Sequence, residues 1–225
     1  MKNFNEYIDL LKSIELFRDI EPAKFEFLLN CIGARIQFLK RGRIVLRAGD
    51  KPDFTGIVLS GLLHILREDY DGNRSIITPI VQGESFAEVL SCAGISESPV
   101  TVITAADSAV MLLRFSRILD VCTGSCSFHK QLITNMLRLI AGKNLFLQNR
   151  IEILSLKSVR ARVMIYLESF IPEQGRNIKI PFNREEMADF LGVERSALSH
   201  ELAKMKKDGL IDYRKNSFKL KPLLR

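Results

Sequence analysis

Between Asn183 and Leu210 the chain carries a pattern that few local structures satisfy. Asn183 suits a helix N-cap, and Glu186, three residues on, can close a capping box. Met187, Phe190 and Leu191 then share one helical face. Gly192 stops that helix, because glycine takes left-handed backbone at little cost. A second helix starts near Glu194, with Leu198, Leu202 and Met205 as its apolar i, i+4, i+7 stripe. Ser196, Ser199, His200, Ala203 and Lys207 fall on the opposite side, with Arg195 at the leading end. Two helices around a short glycine turn make a helix-turn-helix, whose second helix can enter a DNA major groove. Short helix pairs of this kind also occur in bundles that bind no DNA.

The following residues narrow the choice. Asp208-Gly209 leads into Leu210–Tyr213, then Lys215-Asn216-Ser217, then Phe218-Lys219-Leu220, a hairpin with Asn216 near its turn. A helix-turn-helix followed by a hairpin is a winged helix. The net charge of the chain is +7. Residues 157–225 hold 15 basic and 9 acidic side chains, against 18 and 17 in the first 156 residues. The positive excess thus accompanies the winged helix, where it favours phosphate contact and counterion release.

The run Arg184-x-Glu186, Met187-Ala188-Asp189-Phe190-Leu191-Gly192, Arg195-Ser196-x-x-Ser199, Leu202 and Gly209-Leu210-Ile211 resembles the DNA-binding domain of Crp/Fnr-type bacterial transcription regulators. Glu194 departs from that family, which has Ser or Thr as the cap there. The resemblance implies that Arg195, Ser196, Ser199 and His200 face base edges and that Arg184 meets backbone phosphate; Lys204, Lys206 and Lys207 offer general phosphate attraction or a plain solvated surface. The chemistry agrees: arginine pairs with guanine O6 and N7, and Ser and His exchange hydrogen bonds with bases or phosphates.

The N-terminal part reads differently. Asn5–Cys31 is expected to be helical, broken between Leu16 and Pro22, with Pro22 starting the second helix. From Gly33 to Phe115 short β-type runs follow at regular spacing. They are Arg35–Leu39, Arg43–Leu46, Ile57–Leu59, Leu62–Leu66, Ser75–Ile77, Val100–Ile103 and Ala109–Leu113. Turns fall at Gly49-Asp50, Gly61, Asp71-Gly72-Asn73 and Gly83. Such a series predicts a sandwich or jelly roll. These glycines sit where the Crp/Fnr β-roll turns, and the N-terminal helices resemble those preceding a cyclic-nucleotide-binding-type roll.

After a short helix near Ser116–Cys122 and a break at Thr123-Gly124, a proline-free helix runs from about Ser127 to Leu154. It carries two apolar seams with 3,4 spacing. One comprises Leu132, Met136, Leu139, Phe146 and Ile153, interrupted by Lys143 and Arg150. The other is Ile133, Leu137, Ile140, Leu147, Ile151 and Leu154, interrupted by Asn144. One seam can face the β-roll of its own chain. The second is expected to form a homodimer interface, with Asn144 setting register. A helix restarts over Ser158–Phe170, so Ser155–Lys157 is the expected hinge, and after the loop Ile171–Gly175 comes a short strand, Ile178–Ile180.

The resemblance weakens at the sensor site. Cyclic-nucleotide-binding members hold the phosphate with a Gly-Glu pair and, ten residues after the Glu, an Arg-Ser pair. Here Phe86-Ala87-Glu88 keeps the Glu but replaces the Gly, Ser98-Pro99 stands where the Arg-Ser pair would be, and Leu147-Gln148 replaces a base-contacting Thr-Ser pair. A buried cyclic phosphate without its arginine costs several kcal/mol. An effector other than cyclic AMP is therefore expected among Phe86, Ala87, Glu88, Ser98, Pro99, Leu147 and Gln148, with a vestigial sensor on a constitutive DNA binder as the alternative. No metal or other cofactor is expected. No cysteine precedes Cys31, unlike the iron–sulfur members, Cys122-x-x-x-Cys126 is a poor ligand pattern, and Cys31, Cys92, Cys122 and Cys126 read as free thiols. A haem ligand could come from His64, Cys92 or His129, but single histidines are usually structural. A cupin-type metal enzyme needs clustered histidines, and the chain has three in all.

The expected fold is thus α+β: a jelly-roll (cupin-like) β-roll with N-terminal helices over residues 1–117, a linker and long dimerisation helix over 118–155, and a winged helix-turn-helix over 156–225. No run of about 18 apolar residues appears and the N-terminus lacks a signal-peptide core, so a cytoplasmic protein without a membrane partner is expected. Its partners are a two-fold symmetric double-stranded DNA operator, a second copy of the chain and, by the resemblance, RNA polymerase.

Overall fold

The structure, a computed structural model, describes residues 4–68, 74–119, 127–171 and 175–221. The chain forms two compact units, Met1–Ala141 and Gly142–Arg225. In the first, a 3-10 turn leads into α1 (Ile8–Ser13), and Pro22 starts a further 3-10 turn before α2 (Phe25–Cys31). The strands are β1 (Arg35–Leu39), β2 (Ile44–Leu46), β3 (Phe54–Ser60), β4 (Leu63–Glu68), β5 (Arg74–Ile80), β6 (Ser85–Phe86), β7 (Thr101–Thr104) and β8 (Ser108–Arg114). They form two antiparallel four-stranded sheets, ordered β1-β8-β3-β6 and β2-β7-β4-β5.

Strand periodicity explains where the core lies. Side chains of a strand alternate between faces, and β3 and β8 are buried on both. Val58 and Val110 point between the sheets, where they meet Leu46, Leu63, Ile80, Phe86 and Val102. Ile57, Leu59, Ala109, Met111 and Leu113 point the other way, onto Leu11, Phe17, Phe25 and Leu28 of the N-terminal segment and onto Leu132 and Met136. The last two belong to α5 (Ser127–Ser155), the long helix expected from sequence. Asn135, fully buried, fixes this helix to the N-terminal segment: its Nδ2 donates to the carbonyls of Leu16 (3.1 Å) and Arg18 (2.7 Å).

Several boundaries differ from expectation. Strand β5 runs on through Pro79 to Ile80, which a proline permits because β5 is an edge strand. Strand β6 and the short helix α3 (Glu88–Cys92) are too brief to show periodicity in sequence. The helix α4 spans Phe115–Leu119. The predicted turn Asp71-Gly72-Asn73, the break Thr123-Gly124, Cys122, Cys126 and the centre of the loop Ile171–Gly175 lie outside the described residues. Cys31 and Cys92 are free thiols.

In the second unit α5 is followed by α6 (Val159–Glu168), whose N-cap Ser158 accepts from the Ala161 N–H at 3.1 Å. Then come β9 (Asn177–Lys179), α7 (Arg184–Leu191), α8 (Arg195–Lys207), β10 (Ile211–Arg214) and β11 (Ser217–Leu220). The hairpin is joined by β9 in a sheet ordered β10-β11-β9. The expected hinge at Ser155–Lys157 is spanned by one side chain. Arg162 donates to the carbonyls of Leu154 (3.2 Å) and Leu156 (2.9 Å) at the end of α5, and to those of Leu191 (2.9 Å) and Gly192 (3.1 Å) at the end of α7.

Ala87, the N-cap of α3, sits in left-handed backbone at φ 63°. A Cβ there is strained by about 1–2 kcal/mol, partly offset by the greater unfolded-state entropy of glycine. Ala87→Gly is expected to stabilise the chain by about 0.5–1 kcal/mol, a rise in Tm of about 1–4 °C by thermal denaturation. A drop in Tm would contradict the assigned backbone.

Candidate nucleic-acid interface and effector site

Helix α7 is capped as its sequence dictates. The Asn183 side chain accepts from the Glu185 and Glu186 N–H groups at 2.9 and 3.0 Å, and Glu186 accepts from the Asn183 N–H at 2.7 Å. Gly192 closes it at φ 62°, where a Cβ would meet Leu154 Cδ2 at 2.8 Å. Helix α8 has no such cap: Glu194 makes no side-chain cap hydrogen bond. Its orientation comes from packing, with Leu198, Leu202 and Met205 fully buried among Val163, Leu167, Met187 and Leu191.

Burial of that stripe leaves Arg195, Ser196, Ser199, His200, Ala203 and Lys207 exposed on the other side of α8. Two acids at the other end of this region, Glu201 and Asp208, are engaged by α6. Arg160 of α6 bridges Glu201 at 2.6 Å and Asp208 at 2.7 Å. These bonds, that to Glu201 first, hold the Arg160 guanidinium above its ordinary pKa. Arg195 has no ion pair among the described residues, so its five N–H donors face solvent in the fork geometry that suits a guanine edge. Ser199 Oγ donates back to the Arg195 carbonyl at 2.9 Å, which leaves its lone pairs for an incoming donor. Arg160 was not singled out in sequence; nothing in its spacing distinguishes it from a solvated arginine.

Arg184 sits apart from this face. Its guanidinium lies 5.3 Å from the Tyr213 ring centroid and 5.6 Å from that of Phe218. Nη2 donates to the Lys215 carbonyl at 3.1 Å. Desolvation lowers its pKa from the ordinary value. In this position Arg184 pins the tip of the β10–β11 hairpin to the start of α7. Lys206 secures the same hairpin through Asp212 at 2.6 Å. Lys207 and Lys204 have no ion pair among the described residues.

The expected effector residues are only partly brought together. Phe86 is core: its ring lies over Gly56, edge-on to Phe54 at 6.2 Å between centroids. Ala87 is half-buried and Glu88 buried at the start of α3. Ser98 is buried in the turn before β7, where its Oγ donates to the Val100 carbonyl at 2.8 Å, and Pro99 is exposed. Leu147 and Gln148 lie in the second compact unit, exposed on α5. Among the described residues no group of three His, Cys, Asp or Glu is placed to hold a metal ion.

The seams of α5 are distinguished by burial. Leu132, Met136 and Ile153 of the first are buried, while Leu139 is intermediate and Phe146 exposed. That seam meets the β-roll core only through its N-terminal half; Ile153 joins the winged-helix core instead. In the second, Ile133 and Ile140 are half-buried against the core beneath the N-terminal helices, and Leu137, Leu147, Ile151, Leu154 and Asn144 are exposed. No helix among the described residues is long and apolar enough to cross a membrane.

Comparison with known proteins agrees with this architecture. The cyclic nucleotide-binding domain model matches residues 36–125, and the Crp-like helix-turn-helix domain model matches residues 160–222. No curated protein matches the chain in sequence. Among solved structures, the catabolite activator protein of Thermus thermophilus is 18% identical, with 92% of this chain and 93% of that chain covered and a TM-score of 0.53. DNR from Pseudomonas aeruginosa is 17% identical, with 99% and 96% covered and a TM-score of 0.51. CLP, the c-di-GMP responsive global regulator of Xanthomonas campestris, is 18% identical, with 90% and 100% covered and a TM-score of 0.53. With a cyclic-nucleotide-binding-type roll followed by a Crp-like helix-turn-helix over two-thirds of its length, the chain belongs to the Crp/Fnr family of DNA-binding transcription regulators.

Proposed function

We propose that the protein acts as a cytoplasmic homodimer on a two-fold symmetric operator, reading bases with Arg195, Ser196, Ser199 and His200 and touching phosphate with Lys207. The carrying observation is the exposed face of α8, on which Arg195 has no ion pair among the described residues. Arg184 contributes to phosphate contact through the hairpin it holds. The exposed Leu137, Leu147 and Ile151 support pairing of α5 with its copy. In functional terms residues 1–117 are the sensor, 118–155 the dimerising segment and 156–225 the DNA-binding domain, with RNA polymerase as a further partner. Recognition helices of such a dimer lie about 34 Å apart, one DNA turn. Selection from a random DNA library gives the operator; a monomer by light scattering that still binds a single half-site would sink the dimer.

Arg195→Ala is expected to cost about 1–3 kcal/mol on the selected operator and little on a site altered at its guanine. Lys207→Ala should weaken all sequences alike and lower the salt slope by about one. Equal losses for Arg195→Ala on specific and scrambled DNA would move base reading to the other three side chains.

The effector we infer is not cyclic AMP. Support comes from the Ser98 hydroxyl, which is committed to its own turn, from Phe86, which fills the roll over Gly56, and from the lack of an arginine at Ser98-Pro99. Millimolar cyclic AMP or cyclic GMP should leave Tm unchanged. A ligand at 100 times its Kd would add about 2.7 kcal/mol, a shift of about 5–10 °C, and a shift of that size would overturn the inference.

A further inference from the structure

The near-neutral balance of the first 156 residues hides one local excess. From Arg35 to Arg47 the chain carries five basic side chains and no acidic one. These residues make β1, the turn after it and β2. Lys40 pairs with Asp107 at 2.7 Å. Arg35, Arg41, Arg43 and Arg47 are exposed and have no ion pair among the described residues. Phe38 lies between them and is 74% exposed, more than any other large apolar side chain among the described residues. It stands opposite Ala109, on the face that the N-terminal helices cover, yet their cover stops at Ile36. A hollow of about 280 Å³ beside its ring, lined also by Ser60, Asp107 and Ala109, is left open.

Strand β1 is an end strand that pairs with β8 alone. Alternate N–H and C=O groups along it therefore face outward. Proteins guard such edges with prolines, bulges, short strands or charge. The other edges of the roll are guarded by shape. Strand β5 carries Pro79 and a register shift against β4 between Ile65 and Leu66, and β2 and β6 have only three and two residues. Strand β1 has no proline, and its register with β8 runs unbroken from Arg35 to Leu39. Charge alone is left to guard it, and a guard has no use for an exposed aromatic ring.

We propose that β1 takes an extended acidic segment of a partner protein as an added strand. The backbone of that segment meets the outward N–H and C=O groups of β1, as in other cases of strand addition. Its carboxylates meet Arg35 at one end of the strand and Arg41 and Arg43 beyond the other, and an apolar side chain between them lies against Phe38. Five strand residues span about 17 Å, which sets the spacing of the acids. A nucleic acid satisfies the cations but offers no alternating donors and acceptors to a strand edge. The proposal does not depend on the DNA-binding reading above.

The test uses the full chain and a fluorescein-labelled heptapeptide of alternating Glu and Val, with Glu at both ends, read by fluorescence anisotropy. Saturable binding at one per chain is expected, with a Kd on the order of 10–100 μM. The same peptide with Lys for each Glu should bind on the order of ten-fold more weakly or worse. Backbone N-methylation removes the donors of one strand edge and leaves the charge untouched. Methylating the three valines blocks one edge and methylating the two inner glutamates blocks the other. One of these peptides should lose about ten-fold or more and the other less than about three-fold. Phe38→Ala should weaken the parent peptide about five-fold, and Arg35→Gln combined with Arg41→Gln on the order of ten-fold. All three positions are exposed, so thermal melting should change little; Arg43→Gln replaces Arg35→Gln if that variant does not fold. Binding that ignores both methylations, or that survives the arginine variants, would overturn the proposal. So would displacement of the peptide by a seven-nucleotide oligothymidylate at a lower concentration than by unlabelled peptide, and so would the lack of saturable binding below about 1 mM.

Discussion

Arg162→Met is expected to destabilise the DNA-binding unit by about 2–4 kcal/mol. The last carbonyls of a helix lack intrahelical partners and carry the negative end of its dipole. In this chain two such ends, those of α5 and α7, turn toward one guanidinium, which donates to four carbonyls at 2.9–3.2 Å. Hydrogen bonds from a charged donor contribute about 1.5–3 kcal/mol each where water is excluded. Arg162 is only half-buried, so water replaces part of the loss. Methionine keeps much of the aliphatic packing and removes only the donors. Arg162→Lys should recover less than half, since an ammonium cannot span the fork. Urea denaturation of the full chain measures both; a loss under about 0.5 kcal/mol for the methionine variant would show that solvent serves these carbonyls as well.

Gly56→Ala is expected to cost about 3 kcal/mol despite adding only a methyl group. A Cβ at Gly56 would overlap the Phe86 ring. That ring cannot retreat, because it is buried between the sheets against Val58, Val110 and Leu46. Pairing the substitution with Phe86→Leu should restore part of the loss. Melting of the two single variants and the double variant gives the coupling directly. Additive losses would mean that the strain is relieved elsewhere in the roll.

The winged helix was legible because each of its boundaries carries its own chemistry. Asn183 and Glu186 make both bonds of the capping box, Gly192 takes the left-handed backbone, and Leu198, Leu202 and Met205 are buried as their spacing requires. The apolar runs of β3 and β8 were equally visible, though spacing alone did not show that both faces would be covered. What escaped notice lay in contacts distant in sequence. Arg160, Arg162 and Asn135 look like any polar residue in a helix until their partners, up to 119 residues away, are in place. Arg184 belonged to a motif, yet its stacking on Tyr213 and Phe218 depends on how the hairpin folds back.

The buried amide of Asn135 also bears on how the chain is made. Its acceptor, the Leu16 carbonyl, lies 119 residues earlier. The core around Phe17, Phe25 and Leu28 is therefore complete only once Leu132, Asn135 and Met136 have left the ribosome. At about 5–20 residues per second this interval is roughly 6–24 s. For that time the apolar N-terminal segment can pack only on β3 and β8 as they emerge and lacks its cover from α5, long enough for a chaperone to engage it.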